Sequence, residues 1–292
     1  MKQHAVFVGV AAAVAVLASF DLRAPAAVEV AVLAAAVLLL GVPHGSLDVL
    51  HARHAHGLDR PSRWAVFLVV YVLVGAAVVL GWTVAPGLSL LVLLAISVFH
   101  FGGDLQPHSP AALRLVHGLA PICLPGLLHG DELRELFGAL APGEISAATA
   151  AALEDAAPFV LVASLLLTAW SARRHRHAAL EVAATAAICS VAPPLVGFGV
   201  YFCLLHAWRH VDRTRQMYAP SLRVMAWAAG VPTLATAAMG AAAYLALDPE
   251  RVEVGLLQVV FVGLAALTVP HMLLIERIRL TGWRAPGMSS VG

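Results

Sequence analysis

Charge is scarce in this chain. Only 12% of its 292 residues are Asp, Glu, Lys or Arg, against 61% that are hydrophobic, which excludes an ordinary soluble domain. The formal net charge of +1 offers no basic surface, so no nucleic-acid partner is expected. Cysteine is also rare. Cys123, Cys189 and Cys203 lie in apolar stretches without CxxC spacing, which argues against disulfides and zinc knuckles and for buried thiols. No soluble domain, low-complexity tract or clear internal repeat interrupts the apolar runs, and a single integral membrane domain over residues 1–292 is expected.

Long apolar runs are what the chain does have. A span needs roughly 20 mostly apolar residues, and ten candidate helices can be drawn: about 5–20, 26–43, 64–84, 87–101, 111–129, 156–172, 178–193, 195–212, 222–246 and 253–275. The first has no clear cleavage site and is expected to stay as a helix. Asp131 to Asp155 is the longest loop, expected to be partly helical at the surface. The fold class is therefore all-α, a polytopic transmembrane bundle of about eight to ten spans, multi-pass in the cell (plasma) membrane. With the N-terminus assigned to the cytoplasm, alternate loops give that side 15 of the 18 Lys and Arg residues; Arg23, Arg134 and Arg251 fall on the other. This alternation predicts an even number of spans and cytoplasmic termini.

The 14 histidines divide by position. His51, His54 and His56 in "HARHAHG", and His175 and His177 in "RRHRH", sit in basic loops and are expected to be solvated or headgroup-facing. His4 is terminal, His108 lies in a Pro-rich loop, and His117 and His129 belong to the fifth span. Five others fall on even-numbered helices near their cytoplasmic ends: His44, His100, His206, His210 and His271. They come from four helices and share one depth.

Buried polar side chains in a bilayer are costly and face the bundle interior. His206 and His210 are spaced i, i+4, so both rings leave one helix face and can chelate one ion. His44 and His100 could complete a four-imidazole site, suited to iron, copper, zinc or nickel rather than magnesium or calcium. Pro43 and Gly45, and Gly102 after His100, are expected to break the helices and re-aim these rings. Asp48 and Asp104 each stand four residues past a histidine. A ligand histidine usually donates its second N–H to a carboxylate, so both are candidates to orient ligands.

"GVPHGSLD", "FHFGGDL", "YFCLLHAWRH" and "TVPHMLLIE", in that order from Gly41 to Glu276, resemble the Brp/Blh family of membrane β-carotene oxygenases. The resemblance implies non-haem Fe(II) chemistry with O2 that cleaves β-carotene centrally into two retinal molecules. It implies His44, His100, His206 and His210 as iron ligands. It leaves His271 as a fifth ligand or as a group handling protons or oxygen. A lipid-facing opening would suit so apolar a substrate, and Tyr201, Phe202 and Trp208 could line its tunnel, although plain packing also explains aromatics there. Two other readings use the same residues. A zinc membrane hydrolase of the ceramidase-like kind could employ Ser46 or Ser97, but would want a carboxylate on the metal. A carotenoid- or haem-binding protein without catalysis would leave most of the histidines unexplained. The lack of HxxHH boxes argues against a di-iron desaturase or hydroxylase.

Overall fold

The computed structural model of the protein describes residues 2–20, 24–106, 108–247 and 251–280. Among these, all regular structure is helical: α1 (Lys2–Ala18), α2 (Ala26–Ala55), α3 (Pro61–Val84), α4 (Pro86–Gly102), α5 (Ala111–Leu127), α6 (Gly130–Leu140), α7 (Glu144–Ser171), α8 (Arg176–Val191), α9 (Pro194–Val200, Tyr201–Ala207 and Trp208–Tyr218 in succession), α10 (Leu222–Leu247) and α11 (Val252–Leu280). Five of them, α2, α3, α7, α10 and α11, are long and apolar enough to cross a membrane, and α5 with α6 forms a sixth if that pair, bent by 107°, is one span. Helix α4 and the apolar part of α1 are shorter. These apolar helices are compatible with a multi-pass membrane protein.

The burial pattern fits that reading. The apolar windows of α3 and α10 contain no buried residue, and α10 exposes Trp227, Leu234, Met239 and Leu245. In water such helices would lack a driving force to stay apart; in lipid an all-round apolar surface is the stable one. The interior is built by α5, α8 and α9, where buried side chains are densest. Small residues allow close approach there, as in other membrane bundles. A Cβ on Gly118 of α5 would fall 2.0 Å from the Val98 carbonyl oxygen of α4, so no larger residue fits without separating the two helices.

The elements differ from the expected spans where local chemistry intervenes. The expected loop from Asp131 to Asp155 contains α6 and the first turns of α7. Helix α6 buries Leu133, Phe137 and Leu140 along one face. It is anchored by the indole N–H of Trp82 donating to the Leu140 carbonyl (3.0 Å) and by Gln258 donating to that of Ala139 (2.9 Å). The expected fifth span bends after Leu127, following Pro121, Pro125 and a closing 3-10 turn over Leu124–Leu127.

The expected break at "GVPHG" does not occur. Helix α2 runs through Pro43 and Gly45. The turn before them is a π-helix, Val37–Gly41, in which the Val42 N–H reaches back to the Val37 carbonyl. Widening that turn re-aims the following residues without ending the helix, and π-turns of this kind recur at functional sites. Helix α9 has a second π segment, Tyr201–Ala207, packed against the first. Gly41 marks their contact: a Cβ there would lie 2.6 Å from the Phe202 ring.

Candidate metal centre

The two π segments, the end of α4 and the residue after Pro270 inside α11 bring five imidazoles together. His44 follows the π-turn of α2, His206 lies within that of α9, and His210 is one turn further on. His100 comes from the last turn of α4 and His271 from the residue after Pro270 in α11. Ring centroids are separated by 4.7 Å for His206–His210, 4.8 Å for His100–His206, 5.1 Å for His44–His206 and 5.3 Å for both His44–His271 and His100–His271. His100, His206 and His271 are buried.

Three of the five rings have an identifiable cause for their orientation. The Nδ1 of His44 is hydrogen-bonded to the carbonyl of Gly41, on its own widened turn. That of His206 meets both carboxylate oxygens of Asp104 at 3.0 Å, and that of His271 meets Asp48 Oδ1 at 2.7 Å. A tyrosine completes each carboxylate: Tyr201 donates to Asp104 Oδ2 (2.7 Å) and Tyr71 to Asp48 Oδ2 (2.9 Å). The structure thus contains two Tyr–Asp–His chains. Neither aspartate holds the histidine four residues before it. Asp104 lies past the end of α4 and turns toward α9, while Asp48 faces α11. In all three rings the Nδ1 bond leaves Nε2 for the cluster.

One atom tests whether a metal fits. Nε2 of His271 is buried and has no hydrogen-bond partner, a costly state for a polar group unless something fills it. His100, His210 and His271 each offer a nitrogen, and these nitrogens lie within 4.8 Å of one another. Asp104, His206 and His210 meet the same distance test, but both oxygens of Asp104 already accept bonds from His206 and Tyr201. The all-imidazole set is the better match to a borderline transition metal. Asp104 is in turn gripped through its backbone: Arg209 and Arg213 donate to its carbonyl at 2.8 and 2.7 Å, and Arg209 pairs with Glu181 of α8 at 3.0 Å.

Beside the cluster is a partly open apolar cavity. Its walls include Leu90, Leu93, Phe137, Phe198, Phe202 and Phe261, with His44, His100 and His206 at its polar end. Of the three aromatics expected to line a tunnel, Phe202 does. Tyr201 is fully buried and serves Asp104 instead, and Trp208 is 41% exposed and away from the cavity wall.

Other expectations need correction. His51 is not solvated: it is buried, and its ring nitrogens meet Tyr218 (3.0 Å) and Thr214 (2.9 Å), tying α2 to α9. Helix α2 carries it inward by continuing past Gly45, where a loop was expected. His54 is exposed as expected, stacked on Tyr218; the side chain of His56 lies outside the described residues. Ser46 spends its hydroxyl on the Val42 carbonyl and Thr233, and so is not poised as a hydrolytic group. Sequence reasoning missed Tyr71, Arg209, Arg213 and Glu181. A lone tyrosine in "VFLVVYVLVG" was a legible signal, because a polar group in an otherwise apolar span marks an interior partner.

The family model for β-carotene 15,15′-dioxygenase matches residues 35–279. The β-carotene 15,15′-dioxygenase of the uncultured marine bacterium 66A03 is 33% identical over 257 residues, covering 84% of this chain and 92% of that protein. The probable β-carotene 15,15′-dioxygenase Blh of Halobacterium salinarum is 28% identical over 284 residues, covering 83% and 82%. No solved structure gives a significant match. The matched region takes in all five clustered histidines and both aspartates, and on this likeness the chain belongs to the β-carotene 15,15′-dioxygenase family.

Proposed function

We infer that the chain is a multi-pass oxygenase of the cell membrane that splits the central double bond of β-carotene with O2, with Fe(II) as its metal. Both oxygen atoms are accounted for by the products: each carbon of the broken bond takes one, giving two molecules of all-trans-retinal, and no net proton is consumed. The observation that carries this reading is the convergence of five imidazoles from four helices at the polar end of an apolar cavity. His44, His100, His206, His210 and His271 would hold the iron, the last through its unpartnered Nε2. Iron bound there would supply the activation of O2 toward the polyene. The chain's own side chains do the rest. Asp104 and Asp48 fix the tautomers of His206 and His271, so that Nε2 of each is a lone-pair donor. Leucine and phenylalanine walls exclude water and hold the hydrocarbon by shape.

The same reading has residues 1–292 as one membrane domain with both ends cytoplasmic. Expression in a β-carotene-producing bacterium tests the activity: the orange colour should fade as retinal accumulates. Metal analysis of the purified protein should return iron. Zinc at stoichiometric level with no retinal formed would support a hydrolase instead.

A further inference from the structure

A second cavity lies on the other side of the histidine cluster. It is formed between α2, α3, α10 and α11, with Phe67, Leu68, Pro232, Thr236 and Leu267 in its walls and Asp48 and His271 at its polar end. The two cavities share three residues only: His44, Leu264 and Thr268. Leu264 and Thr268 are spaced i, i+4 on α11, and His271 follows Thr268 by three, so all three project from one helix face. His100 and His206 look into the first cavity and His271 into the second. The imidazole cluster therefore borders two chambers rather than one, and His44, Leu264 and Thr268 form the wall they share.

We propose that the two chambers join at this shared wall and each hold one half of a rod-shaped polyene, and that Leu264 and Thr268 are positioning residues that register its central bond at the neck so formed. This rests on the reading of the chain as a carotenoid oxygenase. A single blind pocket would require so long and stiff a molecule to fold back on itself, which conjugation forbids. A through-running pair of chambers removes that requirement. It also gives a physical basis for cleavage at the middle. With the neck at the midpoint of a rod that fills both chambers, sliding it by one double bond takes its central bond out of register with the imidazole cluster and with Leu264 and Thr268. Walls on both sides are apolar, which favours hydrocarbon arms over glycosylated ones.

The test uses the full-length protein and fills the chambers one at a time. Leu93→Trp narrows the first and Thr236→Trp the second; neither residue touches a histidine nitrogen, and both are only partly buried. Leu93→Phe and Thr236→Leu serve as milder versions should either tryptophan impair folding. Two quantities are measured: β-carotene bound by metal-free protein, from its absorbance after purification, and retinal formed by the metal-loaded protein. Both quantities should fall by roughly tenfold in each tryptophan variant, equivalent to about 1.4 kcal/mol, with metal content unchanged. A β-apocarotenal, which keeps one ring and loses most of the opposite arm, should be spared in at least one variant. Normal binding and turnover of β-carotene by Thr236→Trp, alongside loss in Leu93→Trp, would overturn the two-chamber arrangement while leaving the oxygenase reading intact. Absence of retinal from the wild-type protein would instead defeat that underlying reading. Leu264→Ala tests the register directly: off-centre aldehydes should appear beside retinal, and retinal alone at the wild-type rate would remove Leu264 from the positioning role.

Discussion

Asp48 and Asp104 stand at the same remove from the proposed metal, each between a tyrosine hydroxyl and a histidine Nδ1. Asparagine in their place keeps the shape but loses the charge that makes the imidazole a better donor. Asp48→Asn and Asp104→Asn are expected to lower metal affinity or activity by roughly 10- to 100-fold, as read by metal content and retinal yield on the same preparations. His206→Ala and His210→Ala should abolish both, and near-normal iron in either would remove the pair as a chelate. His51 and His54 separate structural from incidental histidines in one short segment. His51→Ala breaks two contacts to α9, one of them buried, and should cost about 1–3 kcal/mol of stability. His54→Ala, at an exposed position, should stay within about 0.5 kcal/mol. Equal thermal shifts for the two would contradict that assignment.

At the scale of helices, what composition reveals and what it hides can be told apart. Hydropathy marks the runs that become α2, α3, α7, α10 and α11, because lipid selects on average polarity over a span. The i, i+4 pair in "HAWRH" points to one face because helix geometry is local. Neither signal reports a change in helical pitch. The π-turns at Val37–Gly41 and Tyr201–Ala207 have no compositional mark, and so Pro43 read as a helix end when it lies inside a continuous helix. The partners of Asp48 and Asp104 were hidden for a related reason: a four-residue offset suggests a bond along one helix, whereas the bonds run between helices and depend on tertiary packing. Gly118 shows how tight that packing is. Gly118→Leu should push α5 from α4 against the Val98 carbonyl, displacing His100 at the end of α4. The expected result is a lower unfolding temperature together with lost metal, whereas Gly138→Leu, at a site with open space, should leave both unchanged.

For the whole molecule, the centre's position among four helices ties metal to fold. The cluster takes its rings from α2, α4, α9 and α11, four separate segments of the chain. A metal there would cross-link segments as distant in sequence as His44 and His271. Its donors would include the buried Nε2 of His271, which has no protein partner. Binding to the folded state alone stabilises it by RT ln(1 + [L]/Kd), about 2.7 kcal/mol when free metal exceeds Kd by about a hundredfold. Metal-free protein in detergent should therefore unfold at a lower temperature, and added Fe(II) under anaerobic conditions should raise that temperature in a concentration-dependent way. His206→Ala should abolish the response, because its loss removes one arm of the i, i+4 chelate. Asp48→Asn should keep the response but shift it to higher metal concentration, since it loosens His271 without deleting a ligand. A melting temperature indifferent to iron in the wild-type protein would mean that the imidazoles are held by packing alone, and the five-histidine centre would fail as a metal site.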